Sequence, residues 1–303
     1  MRIKDLGEIR LIKRLAKKFR LDSSVVKGSG DDTAVLRWTN DRYLLFTCDM
    51  VIEDVHFNLK RTTPFQIGWK ALGRNISDIA AMGGVPRHAV VSLGISPALN
   101  VSAAEGICNG LKSIADKFGV NIVGGDMANS KKIIIDVSLI GEVEKKKLAL
   151  RSGAKKGDII LVTGSLGGSI KGKHLNFMPR VNEVRSILKN FKINSMIDIS
   201  DGLALDLSRI LCASNKGACI YESVIPVSKY AKRVEDALYD GEDYELLFTM
   251  SAKETKRFFK TGFSRMTSPV TIIGEVLDKK QGYKMITKKG EKKDLKTKGY
   301  LHF

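Results

Sequence analysis

The chain has 303 residues, of which 43% are hydrophobic and 28% are charged, as in an ordinary globular protein. At roughly 100–200 residues per domain, this length predicts about two domains. The 28 glycines and 6 prolines are spread among hydrophobic segments, which excludes collagen-like and low-complexity chains. Since no apolar stretch approaches the ~18 residues of a membrane span and the start lacks the apolar core of a secretory signal, we expect a soluble, cytoplasmic protein without a membrane partner.

The charge balance favours anionic ligands. Lysine and arginine total 51 against 33 aspartates and glutamates, which gives a formal net charge of +18. Nine lysines lie within residues 279–298, but Tyr283 is the only aromatic residue among them and no nucleic-acid-binding motif is present. We therefore interpret this segment as a solvated surface and expect no nucleic-acid partner, although a basic nucleic-acid-binding protein remains the non-enzymatic alternative.

Apolar spacing in the first half predicts alternating helices and strands. Residues 6–19 repeat at helical spacing and predict an opening amphipathic helix, followed by a glycine-rich turn at 28–32. The further elements predicted here are the helices Phe65–Met82 and Ser102–Phe118 and the strands Thr33–Trp38, Tyr43–Cys48, His88–Ile95, Val120–Val123 and Ile133–Val143.

The pattern starts again near residue 150, which predicts two domains, 1–147 and 148–303, each of α/β or α+β class. The elements predicted in the second half are the strands Ile159–Thr163, Met196–Ile199, Tyr244–Met250 and Val270–Val276 and the helices Leu203–Ala213 and Ala252–Lys260. Residues 167–174 nearly match the phosphate-binding P-loop, but His174 stands where the motif needs a hydroxyl, so we interpret them as a flexible glycine-rich loop. The four cysteines show no zinc spacing and are interpreted as reduced thiols.

Aspartates recur beside Gly, Ser, Thr or Asn at the ends of apolar runs. A carboxylate at a strand end is partly desolvated, and several that converge would repel each other unless cations neutralised them. Oxygen-only ligand sets of this kind suit Mg²⁺, although each segment alone could be only a turn or a helix cap. The segments are Gly30-Asp31-Asp32-Thr33, Thr47-Cys48-Asp49, Asn75-Ile76-Ser77-Asp78, Gly124-Gly125-Asp126, Asp198-Ile199-Ser200-Asp201-Gly202 and Gly241-Glu242-Asp243.

Local geometry supports the convergence of these groups. Asp198 and Ser200 would alternate onto one face of a strand, and Asn75 and Asp78 would share one face of a helix. A lone histidine such as His56 is more often structural than functional, and Arg151 could bind a phosphate or be solvated.

In order and spacing, these segments together resemble the thiamine-monophosphate kinase family. That family belongs to a superfamily with aminoimidazole ribonucleotide synthetase and selenophosphate synthetase. The resemblance runs nearly end to end. It is carried by GSGDDTAVL (28–36), TCDMVIEDVHF (47–57), KALGRNISDIAAMGGVP (70–86), VGGDMANS (123–130), RSGAKKGDIILVTGSLGGS (151–169), MIDISDGLALDLSRI (196–210), GEDYELLF (241–248) and KGYLHF (298–303).

The resemblance implies an aminoimidazole ribonucleotide synthetase-like fold of two domains, an N-terminal α/β domain that pairs across a homodimer and a C-terminal α+β domain. It also implies direct transfer of the γ-phosphoryl group of ATP to thiamine monophosphate, with several Mg²⁺ ions, to give thiamine diphosphate. The acceptor oxygen is already anionic, so no residue is assigned as a catalytic acid or base. A related enzyme that phosphorylates another acceptor is the alternative.

Site roles follow from the same resemblance. The implied metal ligands are Asp32, Thr47, Cys48, Asp49, Asp78, Asp126, Asp198 and Asp201, and Thr47 and Cys48 would contribute backbone or hydroxyl oxygens. The implied ATP contacts are Gly125, Asp126, Arg151 and Ser200, and the implied contacts to thiamine monophosphate are His56 and Glu242. Four features depart from the family pattern, namely the short 169–180 loop, Cys48, Met127 in place of the usual Thr, and Thr297 in place of an aromatic residue.

Overall fold

The N-terminal sheet has six strands. The fold is described from a computed structural model, which covers residues 2–262 and 268–303. The strands are β1 (Val25–Lys27), β2 (Ala34–Arg37), β3 (Arg42–Ile52), β4 (Val85–Ile95), β5 (Asn121–Asn129) and β6 (Ile134–Glu144). Their order is β1-β2-β3-β6-β4-β5, and only the pair of β4 with the edge strand β5 is parallel.

Four helices accompany this sheet: α1 (Ile3–Leu6), α2 (Glu8–Ala16), α3 (Pro64–Ala81) and α4 (Val101–Phe118). Thr63 caps α3 by accepting a hydrogen bond from the Gln66 N–H, and Pro64 occupies the first helical position, where no N–H is needed. α3 packs against β3, β6 and α4. A Cβ at Gly110 of α4 would lie 1.9 Å from the Phe65 carbonyl oxygen, so the two helices approach more closely than a side chain would allow.

The C-terminal sheet has seven strands in the order β13-β12-β9-β11-β7-β10-β8. They are β7 (Asp158–Thr163), β8 (Ser195–Asp198), β9 (Lys216–Tyr221), β10 (Leu246–Ser251), β11 (Val270–Asp278), β12 (Tyr283–Ile286) and β13 (Lys292–Asp294). The helices of this half are α5 (Lys173–Asn176), α6 (Val181–Asn190), α7 (Leu203–Ser214), α8 (Val234–Tyr239) and α9 (Ala252–Lys260).

Helix α3 lies between the two sheets. Besides the N-terminal sheet it contacts β8, α5 and α6 of the C-terminal half, and the Trp69 indole donates a hydrogen bond of 2.9 Å to the Phe177 carbonyl oxygen. One hydrophobic cluster is continuous across the junction, since Ile76 of α3 belongs to the same cluster as Met196 of β8 and Phe248 of β10. Side chains on α3 can therefore reach groups from both halves of the chain.

Most of the long predicted elements are confirmed with small changes in their bounds, but three local expectations are wrong. The opening helical pattern is broken at Gly7 into α1 and α2 and ends at Ala16, so Phe19 lies outside it and is exposed. The segment 124–126 does not follow a strand, because β5 continues through it to Asn129. Ser200 does not share a strand face with Asp198, because β8 ends at Asp198. The boundary between residues 147 and 148 stays a prediction.

None of the helices formed by residues 2–262 and 268–303 is both long enough and apolar enough to cross a membrane.

Candidate functional site

Three carboxylates from distant parts of the sequence meet between the two sheets. One oxygen from each of Asp32, Asp78 and Asp198 lies within 4.8 Å of the others. Asp32 precedes β2, Asp78 lies in the last turn of α3 and Asp198 ends β8. The group, which we call the acid cluster, thus combines two residues of the N-terminal half with one of the C-terminal half. The predicted convergence of aspartates is confirmed for these three residues.

Each member of the acid cluster is held by a neighbouring polar side chain. The Thr47 hydroxyl donates a hydrogen bond of 2.5 Å to Asp78, and the Ser77 hydroxyl donates one of the same length to Asp198. Arg151 donates from Nη2 to Asp32 Oδ1 at 2.8 Å. Asp32 Oδ2 is buried and accepts no hydrogen bond from the described residues. A buried carboxylate oxygen without a donor is costly, and a metal ion would satisfy it.

The electrostatics of the acid cluster also favour a cation. Burial raises the pKa of Asp78 well above its ordinary value of 3.8, and the nearby carboxylates of Asp49, Asp198 and Asp32 raise it further. The pKa of Asp198 is raised well above the same value, chiefly by burial and then by Asp32. Ionising these three carboxylates together therefore costs free energy, which a bound cation would reduce, and the available ligand atoms are all carboxylate oxygens, which suit Mg²⁺.

Strand β3 directs its three implied ligands to opposite faces. Thr47 and Asp49 face α3, where Asp49 Oδ2 lies 3.4 Å from Arg74 Nε. The side chain of Cys48 points to the other face, where its thiol lies 3.2 Å from Asp136 Oδ1. Because alternate residues of a strand face opposite sides, the Cys48 side chain is directed away from the acid cluster, and its backbone oxygen is what remains as a ligand.

Gly125 and Asp126 lie away from the acid cluster, in the wall of a cavity next to strand β5. This cavity has a volume of about 580 Å³ and includes Cys108 of α4 and Met127 among its walls. In the β4–β5 pairing Asp126 lies beside Ser92, and a Cβ at Gly125 would lie 1.8 Å from the Val91 carbonyl oxygen. The structure thus places these two residues on the exposed edge strand rather than in the acid cluster.

A second cavity, of about 320 Å³, which we call the cleft, is lined by Arg74, one turn before Asp78 on α3, and by Ser200, two residues after Asp198. The remaining implied residues of the C-terminal half, Ser200, Asp201 and Glu242, line it together with His56. Asp201 forms an ion pair with Arg209. The structure therefore separates the implied site residues into the acid cluster, the cleft and the β5 edge.

Burial lowers the pKa of His56 to about 4, and the nearby cations Arg74 and Lys70 contribute, so its imidazole is neutral at neutral pH. Its Nδ1 accepts a hydrogen bond from the Ile52 N–H at 3.1 Å, whereas its buried Nε2 has no partner among the described residues. Glu242 has a left-handed backbone with φ of 54° and pairs with Lys70 at 2.6 Å.

Several residues of this region were not among the expected site residues, Lys70, Arg74, Tyr300 and His302 among them. Lys70 is fully buried, and its ammonium group also donates to the His56 carbonyl oxygen at 2.7 Å. Arg74, Tyr300 and His302 line the cleft. Charged residues at positions 70, 74 and 78 of an otherwise uncharged helix were the available signal, because a buried helix face rarely carries charges without partners.

The glycine-rich segment at 167–174 does not form a phosphate-binding loop. The backbone N–H of Gly167 donates to the Asp243 carboxylate, and that of Gly168 donates to Asp240 Oδ2 at 3.1 Å. A P-loop offers these N–H groups to phosphate oxygens, whereas here they already donate to the carboxylates of Asp243 and Asp240.

The two-sheet fold is that of the AIR synthase related proteins: the family model of their N-terminal domain matches residues 30–143 and that of their C-terminal domain matches residues 155–286. The chain is 33% identical to the thiamine-monophosphate kinase of Bacillus subtilis, over 98% of this chain and 100% of that protein. It is 37% identical to that of Aquifex aeolicus, over 82% of this chain and 87% of that protein. The chain belongs to the thiamine-monophosphate kinase family.

A solved structure agrees with this assignment. AaThiL complexed with AMPPCP and TMP has a TM-score of 0.85 and 33% sequence identity to this protein, with 100% of this chain and 99% of that chain covered. The expected family and two-domain fold are thereby confirmed.

Proposed function

We propose that this protein is a thiamine-monophosphate kinase, which transfers the γ-phosphoryl group of ATP to thiamine monophosphate in the last step of thiamine diphosphate synthesis. The acid cluster carries the proposal, because it joins carboxylates of both halves beside a cleft large enough for a small molecule. The family relationship and the AMPPCP and TMP in the related structure support the same substrates. The alternative is another phosphate or small-nucleophile acceptor in the same cleft.

Mg²⁺ fits the acid cluster. Asp32, Asp78 and Asp198 would hold it, because Asp32 Oδ2 is buried without a hydrogen bond from the described residues and because burial and neighbouring carboxylates raise the pKa values of Asp78 and Asp198. When bound, Mg²⁺ would neutralise the charge of the phosphate groups that must approach each other. We further propose that the wider implied set contributes to several ions: Thr47, Cys48, Asp49, Asp126 and Asp201.

The chain's own residues would bind and orient the two substrates. For ATP we propose Arg151, Ser200, Gly125 and Asp126, of which Arg151 already reaches the acid cluster. For thiamine monophosphate we propose His56 and Glu242 in the cleft, because the Glu242 carboxylate would attract the cationic thiazolium ring. The attacking oxygen is anionic, so positioning and charge neutralisation are sufficient and no general base is required.

We also propose that the protein is a cytoplasmic homodimer that pairs through the outer face of the N-terminal sheet. Several apolar side chains on this face and on the edge strand β5 are exposed in the single chain. They are Phe46, Met50, Val90, Val123 and Met127, with exposures between 43% and 66%. An exposed apolar face of this kind is typical of an interaction surface.

A kinase assay tests the proposed function. Purified protein with ATP and Mg²⁺ is expected to convert thiamine monophosphate into thiamine diphosphate, and removal of Mg²⁺ with EDTA is expected to stop the reaction. Thiamine and other phosphate acceptors serve as controls, with ADP release as the common readout. The proposal would be wrong if thiamine monophosphate gave no product at any Mg²⁺ concentration, and ADP release with another acceptor would favour the alternative.

A further inference from the structure

Helix α3 places three charged side chains on one face. Lys70, Arg74 and Asp78 are four residues apart, so they point the same way on successive turns. Each step of four residues advances about 6 Å along the helix. The face therefore spans about 12 Å from Lys70 to Asp78, with Arg74 halfway between them.

The two outer residues face the two ends of the proposed site. Lys70 pairs with Glu242, the carboxylate proposed to attract the cationic ring of the acceptor. Asp78 belongs to the acid cluster, which would hold the magnesium and the phosphate groups of ATP. The phosphate of an acceptor would have to lie between the acceptor's own ring and the phosphoryl donor. Arg74 lies next to that position.

Most N–H groups of the Arg74 guanidinium form no hydrogen bond with the described residues. Its Nη1 donates to the Met50 carbonyl oxygen at 3.1 Å, and its Nε lies 3.4 Å from Asp49 Oδ2 without forming a hydrogen bond. Its Nη2 donates to none of the described residues, and the side chain is 15% exposed. A guanidinium carries five N–H donors in a fork that matches a phosphate, so most of them remain for a ligand.

Arg74 differs in charge from the other ionisable side chains that line the cleft. Among the described residues that line the cleft, Arg74 is the one arginine or lysine, whereas Asp201, Asp240 and Glu242 are acidic. His56 is neutral at neutral pH because its pKa is lowered to about 4. Ion pairs with Lys70 and Arg209 offset two of these acids, so Arg74 is the lining residue that can offer a fixed positive charge to a phosphate in the cleft.

We propose that Arg74 binds the phosphate of thiamine monophosphate and so makes the enzyme prefer the phosphorylated acceptor over free thiamine. The inference rests on the proposed function and adds a specificity-determining residue to it. Arg74 is held by Met50 and Asp49 on one side and offers its free donors to the acceptor on the other. Its position one turn before Asp78 brings the attacking oxygen towards the acid cluster.

Steady-state kinetics of Arg74→Met test the role of this residue. The variant is expected to raise the KM for thiamine monophosphate by about 10- to 100-fold, the size of one or two lost charge-assisted hydrogen bonds, with little change in the KM for ATP. Arg74→Lys keeps the positive charge but not the forked set of N–H donors, so its KM for thiamine monophosphate is expected to lie between those of Arg74→Met and the wild type. Arg257→Met is the matched control, because Arg257 is an exposed arginine on α9 outside the cleft.

Several outcomes would overturn the inference. One is an unchanged KM for thiamine monophosphate in a folded Arg74→Met protein, and another is a rise confined to the KM for ATP. A change only in the Mg²⁺ concentration required would show that Arg74 merely neutralises Asp49. If Arg74→Met did not fold, an unchanged KM in Arg74→Lys would have the same meaning. Lack of any wild-type activity would instead contradict the proposed function, and calorimetric binding of thiamine monophosphate to both proteins would still test Arg74.

Discussion

Asp78→Asn is expected to abolish phosphoryl transfer while making the metal-free protein more stable. Asn keeps the shape of Asp78 but removes one negative charge from the acid cluster, so Mg²⁺ binding should be lost. Loss of metal assistance worth several kcal/mol lowers kcat by at least about a thousandfold. The same change relieves repulsion by Asp49, Asp198 and Asp32, and a gain of about 1 kcal/mol would raise the melting temperature by about 1–2 °C in a chain of this length.

The pH dependence of the wild type should agree with this account. The pKa of Asp78 in the folded protein lies above its ordinary value of 3.8, so the folded state binds the proton more tightly than the unfolded state. This group therefore lowers the stability of the metal-free protein as the pH rises above 3.8. The slope should be smaller in Asp78→Asn, as measured by thermal unfolding in the presence of EDTA.

Asp116→Asn is the control for this prediction. Asp116 lies on α4 and forms an exposed ion pair with Lys112, so its loss should leave both kcat and the melting temperature nearly unchanged. Added Mg²⁺ should raise the melting temperature of the wild type and of Asp116→Asn but not that of Asp78→Asn. Full activity in Asp78→Asn, or equal stabilisation of all three proteins by Mg²⁺, would contradict the assignment of the acid cluster.

Glu245→Gln is expected to cause the largest loss of stability, about 3–5 kcal/mol in the free energy of unfolding. Glu245 is 1% exposed and accepts two hydrogen bonds of 2.7 Å from Arg180 and one of 3.1 Å from Lys173. Glutamine keeps the size of the side chain but removes the nearer counter-charge of both cations, whose other carboxylates lie farther away, Glu183 at 3.4 Å from Arg180 and Asp243 at 3.8 Å from Lys173. Denaturant unfolding monitored by circular dichroism measures the effect.

The ionisation of Glu245 also sets a pH window. Burial alone would raise its pKa, but Arg180 and Lys173 overcome this and hold the pKa below its ordinary value of 4.5. Its contribution to stability is therefore complete above 4.5 and is lost as the pH falls below that value. In Glu245→Gln this part of the acid destabilisation should be absent.

Glu291→Gln provides the comparison, because Glu291 pairs with Lys293 at the surface and both side chains are more than half exposed. Its loss should cost less than about 1 kcal/mol. Similar small effects of Glu245→Gln and Glu291→Gln would show that the buried pair contributes no more than a surface pair.

Much of the fold could be predicted because its long elements have strong hydrophobic periods. Helix α3 was predicted over Phe65–Met82 and forms over Pro64–Ala81, where the Thr63 cap and Gly83 mark the ends. Short elements escaped prediction: β9, β12 and β13 depend on pairing with distant strands, and a segment of three to six residues carries little pattern of its own. The course of β5 through Gly124 and Gly125 was missed because glycines usually interrupt strands.

The candidate site was predictable in its chemistry but only partly in its geometry. Aspartates beside small residues predicted a cation site, and Asp32, Asp78 and Asp198 do meet. Which acids share that site depends on strand pairing and on packing between the two halves, and pairing with β4 places Asp126 on the edge strand of the sheet. The role of Arg74 depends on its neighbours Asp49 and Met50, which are more than twenty residues away in sequence.

A crystal structure with the ATP analogue AMPPCP and Mn²⁺ in place of Mg²⁺ would test the central claim most directly, because anomalous scattering locates manganese independently of the protein. We expect a manganese peak coordinated by oxygens of Asp32, Asp78 and Asp198, with phosphate oxygens of the analogue completing its shell. Bound analogue with no metal between these three carboxylates would contradict the account.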